Sequence, residues 1–361
     1  MSCIEHDEIY NKDEGDMIQK TLSKIVQDAY KEGRRLVAPL MGFPGLRLTG
    51  STVKLAQQNF GEHYKVLRML VKKFNPDIIF PLMDLSVEAN ALGRYTIFPR
   101  QDSATVIKEH FEIAELAMQK QINFAFDARI MGYVETMKLM SIGLPEDVLK
   151  GAYVTGPYSL ASLIMGADES ALTIIMDPDK LTALCEFRTE KIEEYMRLLI
   201  GAGAQIICIL EPSAVMLGPE HFEQFSSRFV HHINESFKFT DTATVYHTCG
   251  NTMHLIDKMV DSQVNAISLD SPDAGVDLPA VAKRVDGKVI LFGNINPTGH
   301  ILRSDPDTVE DEVTKLLRAM EPYPNFILST GCDLPQEVPF ENISAFMNAG
   351  RNYRIGNKIR V

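Results

Sequence analysis

The sequence contains no tryptophan and only five cysteines in 361 residues: Cys3, Cys185, Cys208, Cys249 and Cys332. They are few, odd in number and widely spaced, which excludes the framework of a small disulfide-stapled domain and suits a reducing compartment. Positive charge is scarce too. Lys and Arg number 36 against 48 Asp and Glu, a formal net charge of −12. Such a chain lacks the basic surface that general nucleic-acid binders and binders of anionic membranes need, although a local basic pocket stays open to it. No uninterrupted apolar run approaches the roughly 20 residues that span a bilayer. The acidic start MSCIEHDEIYNKDEGD has no apolar core of a secretory signal. A cytoplasmic protein, monomeric or homodimeric, is expected, with neither nucleic acid nor membrane among its partners.

What the chain does have is a recurring alternation. Hydrophobic residues make up 45% of it, enough for a large core. Eight short apolar runs rich in β-branched residues fall at 36–43, 77–84, 152–157, 204–212, 242–249, 265–270, 288–297 and 325–333. Each is nearly continuous in apolar character, as a strand buried on both faces of a parallel sheet requires. Between them lie segments of helical periodicity, such as DKLTALCEFRTEKIEEYMRLLIGAGA and SDPDTVEDEVTKLLRAM, the latter with Ser304, Asp305 or Asp307 as its cap. Alternating strands and helices imply right-handed βαβ units, and eight of them predict a single closed (β/α)8 TIM barrel. Residues 1–35 read as an N-terminal helical extension and 36–361 as the barrel, with an insertion after the second strand over roughly 85–151 that contains the apolar run INFAFD.

In such barrels the chemistry sits at the C-terminal ends of the strands. Here those ends carry Asp84, Tyr158, Glu211 and Ser213, His247 and Cys249, Asp270, Asn294 and Asn296, and Cys332 with Asp333. A single polar residue at a strand end is ordinary turn chemistry. Two thiols and an imidazole are less ordinary. Residues i and i+2 of a strand face the same way, so His247 and Cys249 share one side. A closed barrel brings Cys332, from the eighth run, around the same mouth. One imidazole and two thiolates form a three-ligand set for a catalytic Zn2+ with a fourth position open. The competing reading makes Cys249 and Cys332 small buried hydrophobes, as free cysteines usually are. Cys208, inside QIICILE, and Cys185, inside a helical pattern, read as core.

The segments DIIFPLMDLSVEANALG, YVTGPYSLAS, EPSAVMLGPEHFEQF, FGNINP and LSTGCDLPQEVPFENI resemble the uroporphyrinogen decarboxylase superfamily over about residues 36–350. The resemblance places Asp84 where the decarboxylases have an aspartate contacting pyrrole NH groups, and Tyr158 and Ser213 at their tyrosine and serine contacts. The chain departs from them twice. The arginine-bearing R-Q-A-G-R-Y motif that binds substrate carboxylates is replaced by APLMGFPGLRLTG, which keeps only Arg47. The histidine after glycine in the last strand is replaced by Cys332.

With these departures the chain resembles the corrinoid-linked methyltransferase branch, including the methylcobamide:coenzyme M methyltransferases, whose H-x-C-x(n)-C zinc motif is filled by His247, Cys249 and Cys332. The resemblance implies transfer of a methyl group from methylcobalamin, carried on a partner corrinoid protein, to a thiol such as coenzyme M. It leaves two roles open for Glu211, a fourth oxygen ligand or a carboxylate orienting His247, and two for Asp84, at the substrate or beside the metal. Arg47 would meet an anionic tail such as a sulfonate, and Tyr158, Ser213 and Asn294 would line the substrate site. The alternatives are a decarboxylase acting on a porphyrinogen or smaller acid, and a corrinoid:tetrahydrofolate methyltransferase.

Overall fold

A computed structural model describes residues 22–112 and 114–356. Seven parallel strands form one sheet in the order β1 (Ile78–Ile79), β4 (Leu149–Thr155), β5 (Ile206–Leu210), β6 (Ala243–Thr248), β7 (Ala266–Leu269), β8 (Ile290–Ile295) and β9 (Phe326–Thr330). A separate antiparallel hairpin pairs β2 (Thr96–Ile97) with β3 (Thr105–Val106). Between β9 and β1 runs the segment 36–38. Val37 bridges Leu328 in parallel, Leu328 N–H donates to the Leu36 carbonyl, and Asp77 N–H donates to the Val37 carbonyl. The sheet curls into the TIM-barrel-like α/β fold expected from the alternation.

The first two apolar runs make less strand than their composition suggests, because their backbone donors are taken elsewhere. Pro39 has no N–H to give. Leu40 N–H donates to the Thr330 hydroxyl and Gly42 N–H to the Asp333 carboxylate. Beyond Ile79, Pro81 again lacks a donor, and Leu82 N–H goes to Nε2 of His63 at 3.0 Å. Side chains thus replace the ladder where the strands approach the barrel mouth.

The period-2 alternation of the strands divides the core in two. Ile206, Cys208 and Leu210, with Ala243 and Val245, and Ile290 and Phe292, pack inside the barrel, where they meet Leu22, Val26 and Ala29 of the helix Leu22–Lys31. Ile207, Ile209, Tyr246, Ile267 and Leu291 face outward against the helices. This phase decides where His247 points: two residues beyond Val245, it faces inward.

The outer helices follow the sequence pattern with two refinements. Asn59 accepts from Glu62 N–H and separates the helix Val53–Gln58 from Phe60–Phe74. Of the three possible caps before Pro306–Ala319, Asp305 is the one used, accepting from Thr308 N–H. After the second strand, Ala128–Gly143 packs on Phe60–Phe74 and leads into β4, so it belongs to the barrel's outer ring and the inserted part is shorter than 85–151. INFAFD forms a single 3₁₀ turn, Phe124–Phe126. Among the described residues no single helix is long and apolar enough to cross a membrane.

Candidate metal centre

The centre is built from the ends of β6 and β9. His247 is buried at 1% exposure. Its Nδ1 lies 2.9 Å from the hydroxyl of Ser268, which is its register partner on β7. Nε2 is thereby aimed at the mouth, 3.1 Å from Cys249 Sγ and 3.9 Å from Cys332 Sγ, while the two sulfurs are 3.5 Å apart. Gly250 (φ 85°) turns the chain immediately after Cys249, and its N–H is held at 2.7 Å by Asp270, whose other oxygen takes Ser271 N–H. Cys332 reaches the site because Gly331 passes hard against that same loop: a Cβ there would stand 2.7 Å from the Ser271 nitrogen.

The donor set fits a tetrahedral cation. Bonds of about 2.3 Å to sulfur and about 2.1 Å to nitrogen put ligand atoms roughly 3.5–3.8 Å apart. The three atoms here lie within 4.8 Å of one another, with the imidazole buried and both cysteines half-buried. As a free thiol, Cys332 is driven well above the ordinary range by the adjoining Cys249 sulfur and by burial. A divalent cation relieves that repulsion. Both cysteines are free of disulfides, as are Cys185 and Cys208, which are core as expected. Cys3 lies outside the described residues.

The other candidates are placed differently. Glu211 is fully buried and its carboxylate turns away from the thiol group, onto the N-terminus of helix Pro157–Met165. It accepts from Tyr158 N–H (3.0 Å), Ser159 N–H (2.7 Å) and the Ser226 hydroxyl (2.8 Å). Burial nevertheless raises its pKa. Gly156 is required beneath it, since a Cβ there would meet Glu211 Cγ at 2.2 Å. Glu211 touches the metal centre only through its backbone, its N–H donating to the His247 carbonyl at 2.8 Å. Asp84 is equally occupied, by Arg129 Nη2 (2.5 Å), the Tyr133 hydroxyl (2.7 Å), and Ser86 through its N–H (3.0 Å) and hydroxyl (2.6 Å). Arg47, the expected sulfonate contact, donates to the carbonyls of Gln336 and Val338 and stacks on Phe340 at 4.4 Å. Tyr158 is buried, Ser213 gives its N–H to Ser159 Oγ at 3.1 Å, and Asn294 ties β8 to the carbonyls of Asp270 and Val276.

Several residues that sequence reasoning did not single out belong here. Tyr153 faces the barrel interior, stacked on Phe80 with ring centroids 5.0 Å apart. Among the described residues its buried hydroxyl has no hydrogen-bond partner, and it lies close enough to Asp333, Cys208, Cys332 and Cys249 for their charges to bear on it. Asp333, noted only as a strand-end residue, accepts from Gly42 and Met83 N–H, yet burial pushes its carboxyl up to about 7. Glu88 accepts both the N–H and the hydroxyl of Thr155, and burial raises it to about 7 as well. A cavity of about 790 Å³, bounded by Phe43, Arg100 and Gln336 among others, reaches Asp333 beside Cys332. The period-2 phase of AYVT signals Tyr153. Arg129 and Tyr133 carry no such signal, because they lie 45 and 49 residues from Asp84.

Comparison with known proteins places the chain in a family. The model of the family described as uroporphyrinogen decarboxylase (URO-D) matches residues 47–353. Methylcobamide:CoM methyltransferase MtbA of Methanosarcina mazei is 29% identical over 275 residues, 75% of this chain and 78% of that protein. Uroporphyrinogen decarboxylase of Prochlorococcus marinus is 22% identical over 298 residues, 80% of this chain and 83% of that protein. A solved methyltransferase structure from Methanosarcina mazei superposes with a TM-score of 0.80 at 20% identity, over 92% of this chain and 98% of that one, a likeness of fold. With the family model matching residues 47–353, the protein belongs to the uroporphyrinogen decarboxylase (URO-D) family.

Proposed function

We propose that the protein is a zinc-dependent methyltransferase that moves a methyl group from a methylated corrinoid, carried on a partner protein, to a small thiol such as coenzyme M. The observation that carries this reading is the convergence of His247 Nε2, Cys249 Sγ and Cys332 Sγ. The methylcobamide:CoM methyltransferases among its relatives support it. The decarboxylases among them keep a second reading in view, but the one arginine left from their carboxylate-binding motif is spent on backbone carbonyls and a phenyl ring.

A free thiol has a pKa near 8.5 and is mostly protonated at neutral pH. Zinc bound here supplies a Lewis acid that stabilises the acceptor as a thiolate while leaving a sulfur lone pair for attack. The chain does the rest. Ser268 fixes the ring of His247 so that Nε2 points to the mouth. Asp270 and Gly331 hold the two cysteine-bearing loops against each other. Glu211 and Asp84 act as positioning groups, through the β5–β6 edge and the β1 end. The acceptor enters by the cavity beside Asp333. There its sulfur forms the S–CH₃ bond as the carbon–cobalt bond breaks, the bonding pair staying with cobalt. The thiol's proton is released to solvent.

The test is anaerobic demethylation of free methylcobalamin by a thiol panel, read as the cobalt(III)-to-cobalt(I) absorbance change. Coenzyme M is expected to be methylated, with faster turnover when the corrinoid rides on its carrier protein, since docking positions the methyl group. Zinc-replete protein that demethylates with no thiol, and matches its Cys332→Ala variant, contradicts the proposal. Carbon dioxide release from uroporphyrinogen would then establish the decarboxylase, and methyl transfer to tetrahydrofolate alone would change the acceptor.

A further inference from the structure

The two sulfurs of the metal centre are placed to react with each other as well as with a cation. Cys249 Sγ and Cys332 Sγ are 3.5 Å apart, both cysteines are half-buried, and neither is in a disulfide. A disulfide requires a sulfur–sulfur distance of about 2.05 Å, so the pair must close by roughly 1.5 Å, within the swing of two Sγ atoms about their Cα–Cβ bonds. The same spacing suits two ligands of one metal ion.

The fold, and not a metal, holds the sulfurs face to face. β7 and β8 separate β6 from β9 in the sheet, and 83 positions of chain separate the two cysteines. The loop after β7 grips both ends. Asp270 accepts Gly250 N–H at 2.7 Å and Ser271 N–H at 2.6 Å, and Gly331 packs so closely on the same loop that a Cβ would stand 2.7 Å from the Ser271 nitrogen. None of these contacts involves a sulfur or the imidazole, so they persist when a cation leaves. The thiols therefore keep a high effective concentration towards each other. The core cysteines differ in access. Cys185 is fully buried, and Cys208, which faces the barrel interior near enough to Cys332 for its charge to bear on it, is 2% exposed. Cys208 is thus the competing partner, but only Cys249 and Cys332 are open to a small oxidant from solvent.

We propose that Cys249 and Cys332 form a redox modification site: a hydroperoxide converts the pair into a disulfide, and the disulfide excludes the cation. One thiol sulfur attacks the peroxide O–O bond and keeps the hydroxyl as a sulfenic acid. The other peroxide oxygen leaves as alcohol or water with that thiol's proton. The second sulfur then displaces the sulfenic hydroxyl, which departs as water with the second thiol's proton. Two electrons have passed from the sulfurs to the peroxide. From the zinc thiolates the same oxidation takes its two protons from solvent and releases Zn2+, since His247 alone is too few ligands to keep it. The inference goes beyond the methyl-transfer reading, because it needs only the sulfur pair. Joined to that reading, it halts methyl transfer reversibly under oxidising conditions.

The experiment exposes chelator-stripped and zinc-loaded wild type to hydrogen peroxide, alkylates the remaining thiols in denaturant and maps the peptides by mass spectrometry. The stripped protein should lose two of its five thiols and yield a linked peptide joining Cys249 to Cys332, which dithiothreitol reverses. The zinc-loaded protein should release one zinc to a chromogenic chelator for each disulfide formed, and should take up none again until reduced. Cys208→Ser should give the same linked peptide as wild type. Cys249→Ser should give none and should instead accumulate sulfinic acid at Cys332. A link from Cys332 to Cys208 or Cys3, sulfinic acid in place of a link in wild type, or a linked peptide in protein that keeps its zinc overturns the site. Failure of the functional reading looks different. Protein that closes the pair under peroxide but, reduced and zinc-loaded, methylates no thiol keeps the modification site and loses the methyltransferase.

Discussion

Two corners of one barrel rim are built from the same kind of parts and end up in opposite chemical states. At the β6 and β9 ends, His247, Cys249 and Cys332 face one another, and among the described residues the only group outside the set that holds the imidazole is Ser268. At the β1 and β5 ends, the carboxylates of Asp84 and Glu211 are surrounded by donors from helices and loops. A group whose hydrogen-bonding capacity is consumed by the fold is held in one ionisation state and one direction. A group whose lone pairs converge on empty space with other lone pairs calls for a cation. Residue type alone does not separate these cases, since both corners display acid or thiol side chains where apolar runs stop.

The comparison can be broken by substitution. The largest effect is expected at the thiol corner: Cys249→Ala or Cys332→Ala should reduce methyl transfer at least about 10³-fold, with melting within a few degrees of wild type, because a barrel of this size buries its core without metal. At the carboxylate corner the effect should fall on stability. Asp84→Ala leaves the Arg129 guanidinium buried without its counter-charge and should destabilise by about 3–5 kcal/mol in denaturant titrations, with zinc retained. Full stability in Asp84→Ala would mean that this corner is available for chemistry after all.

A third effect is set by pH. Burial raises Glu88 from an ordinary value of 4.5 to about 7, so the folded protein holds that proton more tightly than the unfolded chain. Its contribution is therefore complete below about pH 4.5 and is lost as pH rises towards 7, by ~3 kcal/mol at most. Glu88→Gln, which keeps the neutral shape, should flatten the fall in stability over that window. An unaltered pH profile in the variant would remove Glu88 as its source. The smallest effect is at Arg47. With its guanidinium held by two backbone carbonyls and Phe340, Arg47→Ala should leave KM for an anionic thiol within about twofold and cost about 1 kcal/mol of stability.

Much of this was legible in the sequence, for local reasons. Period-2 phase fixes which way His247 points and ties Cys249 to it, and the run ending in Cys332 closes the set once the barrel is inferred. The shortening of the first two runs was hidden because their donors go to Thr330, Asp333 and His63, none of them nearby in sequence. The fate of Asp84 was hidden for the same reason: Arg129 and Tyr133 arrive from the helix preceding β4. Glu211 ends its strand beside His247, as the register predicts, but its side chain follows the helix N-terminus that Gly156 allows to approach. Sequence pattern thus reports the direction of a strand residue well and its long-range partners poorly.

Metal content tests the central claim most directly. Wild-type protein, purified and analysed by inductively coupled plasma mass spectrometry, should carry one zinc per chain. Cys249→Ala and Cys332→Ala should each lose stoichiometric zinc, Cys208→Ala should keep it, and chelated wild type should retain its circular dichroism spectrum. Full zinc in either of the first two variants would contradict the assignment of these strand ends as the metal centre, and unfolding on chelation would make the site structural rather than catalytic.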